Sequence, residues 1–248
     1  MLKPSLEKVK ALAKQYNTIP VFYEFSADNQ TPLNIYTALS KDSRNSFILE
    51  SVSNGVQWDR YSFVGVSPKE EICITGNTAE IRTGDKIETK EVEQPIAFLK
   101  ERMAAYRSPV LEGAPNFTGG LIGYFGYDTV RYMEKKLTHV PEDDIHMPDC
   151  HLFLYEELLA YDHLTSNGIV ILNLHTDGDL GAQYAAAQWR AEELADIVRH
   201  YNPQPQVRQY HGEAVVRSNL TKEQYSQMVR DAKEYIRNGD IFQIVLSQ

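Results

Sequence analysis

Between Phe47 and Ile81 the chain offers four strand-forming runs in close succession, FILES, RYSFVGV, EICIT and AEIR, set apart by turn chemistry at Asn54-Gly55, Ser67-Pro68 and Gly76-Asn77. Thr83-Gly84-Asp85 closes a further hairpin on this reading. IPVFYEF, with Val21, Tyr23 and Phe25 on one side, is another strand, and CHLFLYEELLAYDH with GIVILNL reads as one long hairpin joined around Ser166-Asn167-Gly168. Helices surround these strands instead of alternating with them. Leu6, Val9, Leu12, Ala13 and Tyr16 form a stripe behind an N-cap at Ser5, and Thr31-Pro32 opens a short helix. Ile96, Leu99 and Met103 share a face near Ile96 to Tyr106, and AQYAAAQWRAEELADIVRHY is helical throughout. Many strands without regular βαβ alternation specify a layered α+β fold and not a doubly wound one.

The clearest boundary is YNPQPQVRQYHGEAVVRSN at 201–219, polar and carrying two prolines. After it, Thr221 and Gln224 make a capping box, and Tyr225, Met228, Val229, Ala232 and Ile236 follow at helical spacing until Asn238-Gly239. IFQIVLSQ then reads as a strand. Alternation puts Ile241, Gln243, Val245 and Ser247 on one face and Phe242, Ile244 and Leu246 on the other. The wholly apolar face is expected to pack into a core.

Composition narrows the function classes. The 248 residues, 42% of them apolar, are enough to bury a core. With 34 acidic against 25 basic residues and no basic run able to track phosphates, the chain argues against nucleic acid as a partner. No apolar stretch reaches the roughly 18 to 20 residues of a bilayer span, and the N-terminus is charged throughout. The expectation is a cytoplasmic protein with no membrane contact. Cys73 and Cys150 read as small hydrophobes, and the seven histidines are scattered without an HExxH pair, so no metal site made wholly from this chain is expected.

Two stretches invite chemistry. The glycines at 119, 120, 123 and 126 fit neither GxGxxG nor GxxxxGK[ST]. They read as bulges or close approaches of another layer, with Tyr124, Phe125 and Tyr127 as packing residues. Glu50 and Ser51 close an apolar strand end where they could bind a ligand's ammonium and carboxylate, with Phe63 offering apolar surface; the alternative is a solvated strand end leading into a turn. Asp128 with Arg131, and Glu142, Asp143, Asp144 and Asp149, read as solvated surface. No nucleophile elbow, Cys-His pair or acid and base carboxylates can be assigned.

FILESV at 47–52, RYSFVG at 60–65, GGLIGYFGYDTVRY at 119–132, PDCHLFLYEELLAYDH at 148–163 and YIRNGDIFQIVLSQ at 235–248 together resemble the large subunit of anthranilate synthase, within the chorismate-utilising enzymes. DNQTPLNIYTAL at 28–39 is similar too. The resemblance implies a layered α/β/β/α sandwich, truncated here, with residues 1–205 as an N-terminal regulatory domain and 206–248 as linker and start of the chorismate-binding domain. It implies an enzyme that makes anthranilate and pyruvate from chorismate and ammonia with Mg2+, is inhibited by tryptophan, and takes ammonia from a glutamine amidotransferase subunit (component II). Carried over by position, the tryptophan pocket involves Glu50, Ser51, Val52 and Phe63, with Ile48 a mild departure from the family's leucine. Gln243 stands where water-using relatives carry a lysine base; a glutamine cannot take a proton, which suits ammonia, and a structural amide is the alternative. The catalytic histidine and the Mg2+ glutamates of the family lie past the VLSQ strand, so the expectation is a fragment inactive alone. The large subunit of aminodeoxychorismate synthase and a non-catalytic amino-acid-binding module are the competing readings.

Overall fold

The computed structural model describes residues 1–50, 60–134, 136–138, 140, 142–143, 146–203, 212 and 215–248, in two units, Met1–Pro203 and Gln204–Gln248. The larger unit holds two five-stranded antiparallel sheets. The first is built from β1 (Thr18–Ser26), β2 (Ser46–Leu49), β3 (Tyr61–Val66), β9 (Glu157–Asp162) and β10 (Asn167–His175), in the order β1-β10-β9-β3-β2. The second is built from β4 (Glu70–Thr75), β5 (Thr78–Thr83), β6 (Lys86–Glu91), β7 (Gly120–Phe125) and β8 (Cys150–Tyr155), in the order β6-β5-β4-β8-β7.

Strand alternation divides the core into three apolar layers. Val170, Leu172 and Leu174 of β10 point away from the second sheet and pack on α4 (Leu180–Arg199), together with α1 (Leu6–Leu12) and α2 (Pro32–Leu39). Ala187, Ala191 and Ala195 of α4 keep that helix close to the sheet. The alternate residues Ile169 and Ile171 face the second sheet, where they meet Leu158, Ala160, Phe63 and Tyr155. Ile72, Ile74, Ala79, Ile81 and Leu152 line the far side of the second sheet and pack on Leu99 of α3 (Pro95–Ala104). The result is the expected α/β/β/α layering. Each fully buried Ile or Leu contributes roughly 1.5 to 3 kcal/mol against the exposed state, so residues such as Ile171 and Leu159 anchor the fold.

The run read as one strand of a long hairpin is two strands. β8 pairs with β4 and β7, β9 pairs with β10 and β3, and Glu156 alone separates them. The chain changes sheets at that residue because Asn173 of β10 captures its carbonyl, through the backbone N–H at 3.1 Å and Nδ2 at 2.9 Å. Asn173 Nδ2 also donates to Thr118 O at 2.7 Å, so one amide ties the two sheets together. Gly119 sits against that amide with φ at +148°, and a Cβ there would lie 2.9 Å from both Asn173 Nδ2 and Tyr155 O. Close approach of another layer is therefore what this glycine serves. The expected packing of the neighbouring aromatics holds for Tyr124, half-buried with its hydroxyl donating to Pro148 O at 3.1 Å. Phe125 and Tyr127 are instead exposed, because β7 is an edge strand and the 3-10 turn Tyr127–Tyr132 leads away from it.

In the smaller unit, α5 (Lys222–Asn238) has both bonds of the capping box, Gln224 N to Thr221 Oγ1 at 3.2 Å and Thr221 N to Gln224 Oε1 at 2.8 Å, and Gly239 closes it in the left-handed region. Residues 240–248 form no strand, contrary to the sequence reading. Among the described residues no strand pairs with them, and Phe242 and Val245 are 92% and 82% exposed. No helix of the described residues is long and apolar enough to cross a membrane.

Candidate functional site

Strand pairing builds the first candidate site. Leu49, the last residue of β2, stands opposite Phe63 of β3, and Glu50 follows it as an exposed residue. Phe63 is buried between the sheets, its ring centroid 5.5 Å from Phe117 in an edge-to-face arrangement and 6.1 Å from Tyr61. Phe47, on the same face of β2, packs edge-on to Tyr155 at 4.7 Å and lies over Gly65, where a Cβ would come within 2.2 Å of its ring. The structure thus brings Leu49 and Phe63 together beside an aromatic inter-sheet layer, with Glu50 one residue past the end of β2. Ser51 and Val52 lie outside the described residues, as does Asp144 of the surface acids. Gln243 is exposed, and without a strand at 240–248 the alternation that assigned it to one face does not apply.

A second constellation escaped sequence reading. At the sheet switch, the consecutive residues Glu156 and Glu157 point to opposite sides, as strand geometry requires. Glu156 accepts from Lys69 Nζ at 2.9 Å and lies 2.9 Å from His175 Nε2, while Lys69 Nζ is 3.1 Å from that same nitrogen. Glu157 takes the guanidinium of Arg190 on α4 at 2.8 and 2.9 Å, which raises the arginine's pKa further. Nearby, Arg102 of α3 holds Glu70 at 2.7 and 3.0 Å. Tyr106 lies beside them; burial first, then the charges of Glu70 and Glu156, push its hydroxyl up to about 12. The local signal was the Glu-Glu pair interrupting an apolar run in HLFLYEELLAY; its partners are 19 to 87 residues away and left no mark on spacing.

At the other end of β9, Asp162 binds Arg60 at 2.7 and 3.0 Å and accepts from Leu164 N and Thr165 Oγ1, each at 3.0 Å. Burial alone would raise its carboxyl; these donors overcome that and hold it below the ordinary carboxylate value. Among the described residues, no group of three or more His, Cys, Asp or Glu side chains is placed to hold a metal ion.

Residues 58–248 match the model of the chorismate binding enzyme family. The chain belongs to that family. Among curated proteins it is similar to anthranilate synthase component 1 of Acetivibrio thermocellus, 38% identical along 100% of this chain and 51% of that protein. It is also similar to anthranilate synthase component 1 of Pseudomonas aeruginosa, 36% identical along 98% of this chain and 50% of that protein. The chain spans about half the length of the curated relatives it matches. The crystal structure of anthranilate synthase component I from Streptococcus pneumoniae shares its fold, with a TM-score of 0.51 and 24% identity over 85% of this chain and 44% of that one. Within this chorismate-binding family member, the matched residues leave out β1 and β2 and run from β3 through α5 to Gln248.

Proposed function

We propose that this sequence serves in the large subunit of an anthranilate synthase, a cytosolic enzyme of tryptophan biosynthesis that converts chorismate and ammonia to anthranilate and pyruvate. The ammonia comes from glutamine through a partner amidotransferase subunit. The observation that supports this most is the alignment of nearly the whole chain with proteins named anthranilate synthase component 1. On this reading residues 1–205 form the regulatory part and 206–248 lead into the chorismate-binding part. The edge of the inter-sheet layer takes tryptophan: Glu50 accepts the ammonium group, Ser51 and Val52 belong to the same site, and the indole rests on apolar surface next to Phe63. Gln243 belongs to the chorismate cavity, where an amide that cannot take a proton leaves ammonia as the nucleophile. Mg2+ belongs to the same reaction, but the described residues offer it no cluster.

A protein of the relatives' full length carrying this sequence is expected to release fluorescent anthranilate from chorismate, Mg2+ and ammonium. Formation of the para isomer would overturn the reading in favour of an aminodeoxychorismate synthase. Glu50→Ala should raise the tryptophan concentration for half-inhibition by about tenfold or more, the loss expected for a charge-assisted hydrogen bond. An unchanged ratio of inhibited to uninhibited rate would remove Glu50 from the pocket.

A further inference from the structure

Where β1 begins and β10 ends, a cavity of about 680 Å3 opens against α3. Its volume is within the range of roughly 300 to 1,000 Å3 typical of small-molecule sites. Lys69, Lys90 and Arg102 line it, and each is held from behind by a glutamate that does not: Lys69 by Glu156 at 2.9 Å, Lys90 by Glu88 at 3.0 Å and Arg102 by Glu70 at 2.7 Å. An ammonium has three N–H donors and a guanidinium five. Among the described residues, these contacts leave donors over on all three cations. His175 Nε2 stands within reach of both Glu156 and Lys69, and even where it accepts from Lys69 that ammonium keeps a third N–H. Among the described residues, only Glu101 and Asp177 bring carboxylates to the same wall.

The remaining surface mixes the polar groups of Asn17, Thr18, His175 and Thr176 with aromatic rings. Phe98 and the ring of Tyr106 line the cavity, and the Lys69 ammonium stands 5.8 Å from the Tyr106 centroid. The mouth is fixed before any ligand arrives. Asn17 donates to Ala105 O at 2.6 Å and accepts from Arg107 N at 2.7 Å, and Asn17 N and Thr18 N both donate to Arg107 O. A preformed cavity with spare cationic donors above aromatic faces suits a ligand that combines a negative head with a planar ring. We propose that this cavity binds a small aromatic carboxylate, its carboxylate held by Lys69, Lys90 and Arg102 and its ring against Phe98 and Tyr106.

The site is separate from the strand end at Glu50, and the proposal stands without the anthranilate synthase reading. Benzoate titrated into the 15N-labelled chain should give saturable amide shifts at Ala105 and Thr176. Lys90→Gln, on a strand exposed along its whole length, and Lys69→Gln should each weaken binding on the order of fivefold, with Lys86→Gln on the same strand within about twofold. Circular dichroism verifies that the variants fold, and Lys90→Gln decides the matter if Lys69→Gln does not. Absence of saturable shifts, or unchanged affinity in Lys90→Gln, would overturn the proposal. Binding of benzyl alcohol or inorganic phosphate as tight as that of benzoate would overturn it as well, since the first lacks the charge and the second the ring.

Discussion

IVILNLH at 169–175 and IFQIVLSQ at 241–248 are alike in apolar content, and each follows an Asn-Gly pair. The first lies within β10, hydrogen-bonded to β1 on one side and β9 on the other, with Val170 and Ile171 fully buried on opposite faces. The second is no strand at all, and its Phe242 side chain is in solvent. The helix that follows the first run and the helix that precedes the second make a parallel contrast. Five residues of α4 are buried, whereas α5, equally regular and better capped, buries only Ala232 among the described residues. A helix closes its hydrogen bonds within itself, so caps and spacing suffice to draw it. A strand is a relation between segments, and its apolar residues do nothing until neighbours supply both the ladder and the opposing layer.

Placing the same charge in both runs gives the widest separation. Val170→Asp puts a carboxylate into a fully buried site and should cost more than about 4 kcal/mol, enough to prevent the larger unit from folding. Val245→Asp should change its unfolding midpoint by no more than about 0.5 kcal/mol equivalent; urea titration with circular dichroism measures both. Asn173→Leu removes the amide that joins the sheets, takes the side-chain donor from the Thr118 carbonyl, leaves the Glu156 carbonyl with the backbone N–H of residue 173, and should cost about 2 kcal/mol in the same titration. Thr221→Ala breaks the capping box of α5 and should cost that helix about 1 kcal/mol, seen as fraying at its first turn in amide exchange. The smallest effect belongs to Asp162, since Arg60 is half-exposed and solvent screens the pair. Its carboxyl is depressed in the folded state, so its contribution is present above the ordinary aspartate value and is lost as pH falls below about 4. Asp162→Asn should flatten that part of the acid unfolding curve.

What could be read in advance divides along the same line. Ser5, Thr31, Thr221 with Gln224, and Gly239 all cap the helices where their chemistry implied. The runs at Tyr61–Val66, Glu70–Thr75 and Thr78–Thr83 are strands; with positive φ, Gly76 turns between the last two and Gly84 turns from the third into β6. These are local matters. The division at Glu156 was not legible because apolar residues continue on both sides of it, and only the competing partners β4 and β10 make it a change of sheet. The strand end at Glu50 was legible as an oddity, and the pairing of β2 with β3 sets its neighbour Leu49 opposite Phe63. The cluster of Lys69, Glu156 and His175 was not, because cross-sheet ion pairs impose no spacing on the sequence.

The edge position of β1 has a consequence for synthesis. Its full-length ladder is with β10, about 150 residues later in the chain. At a translation rate of roughly 5 to 20 residues per second, IPVFYEF would wait on the order of ten to thirty seconds outside the ribosome before its partner emerged. During that interval it is an unpaired apolar strand, the kind of segment that chaperones bind, and the closing of the first sheet becomes one of the last events in the birth of the domain.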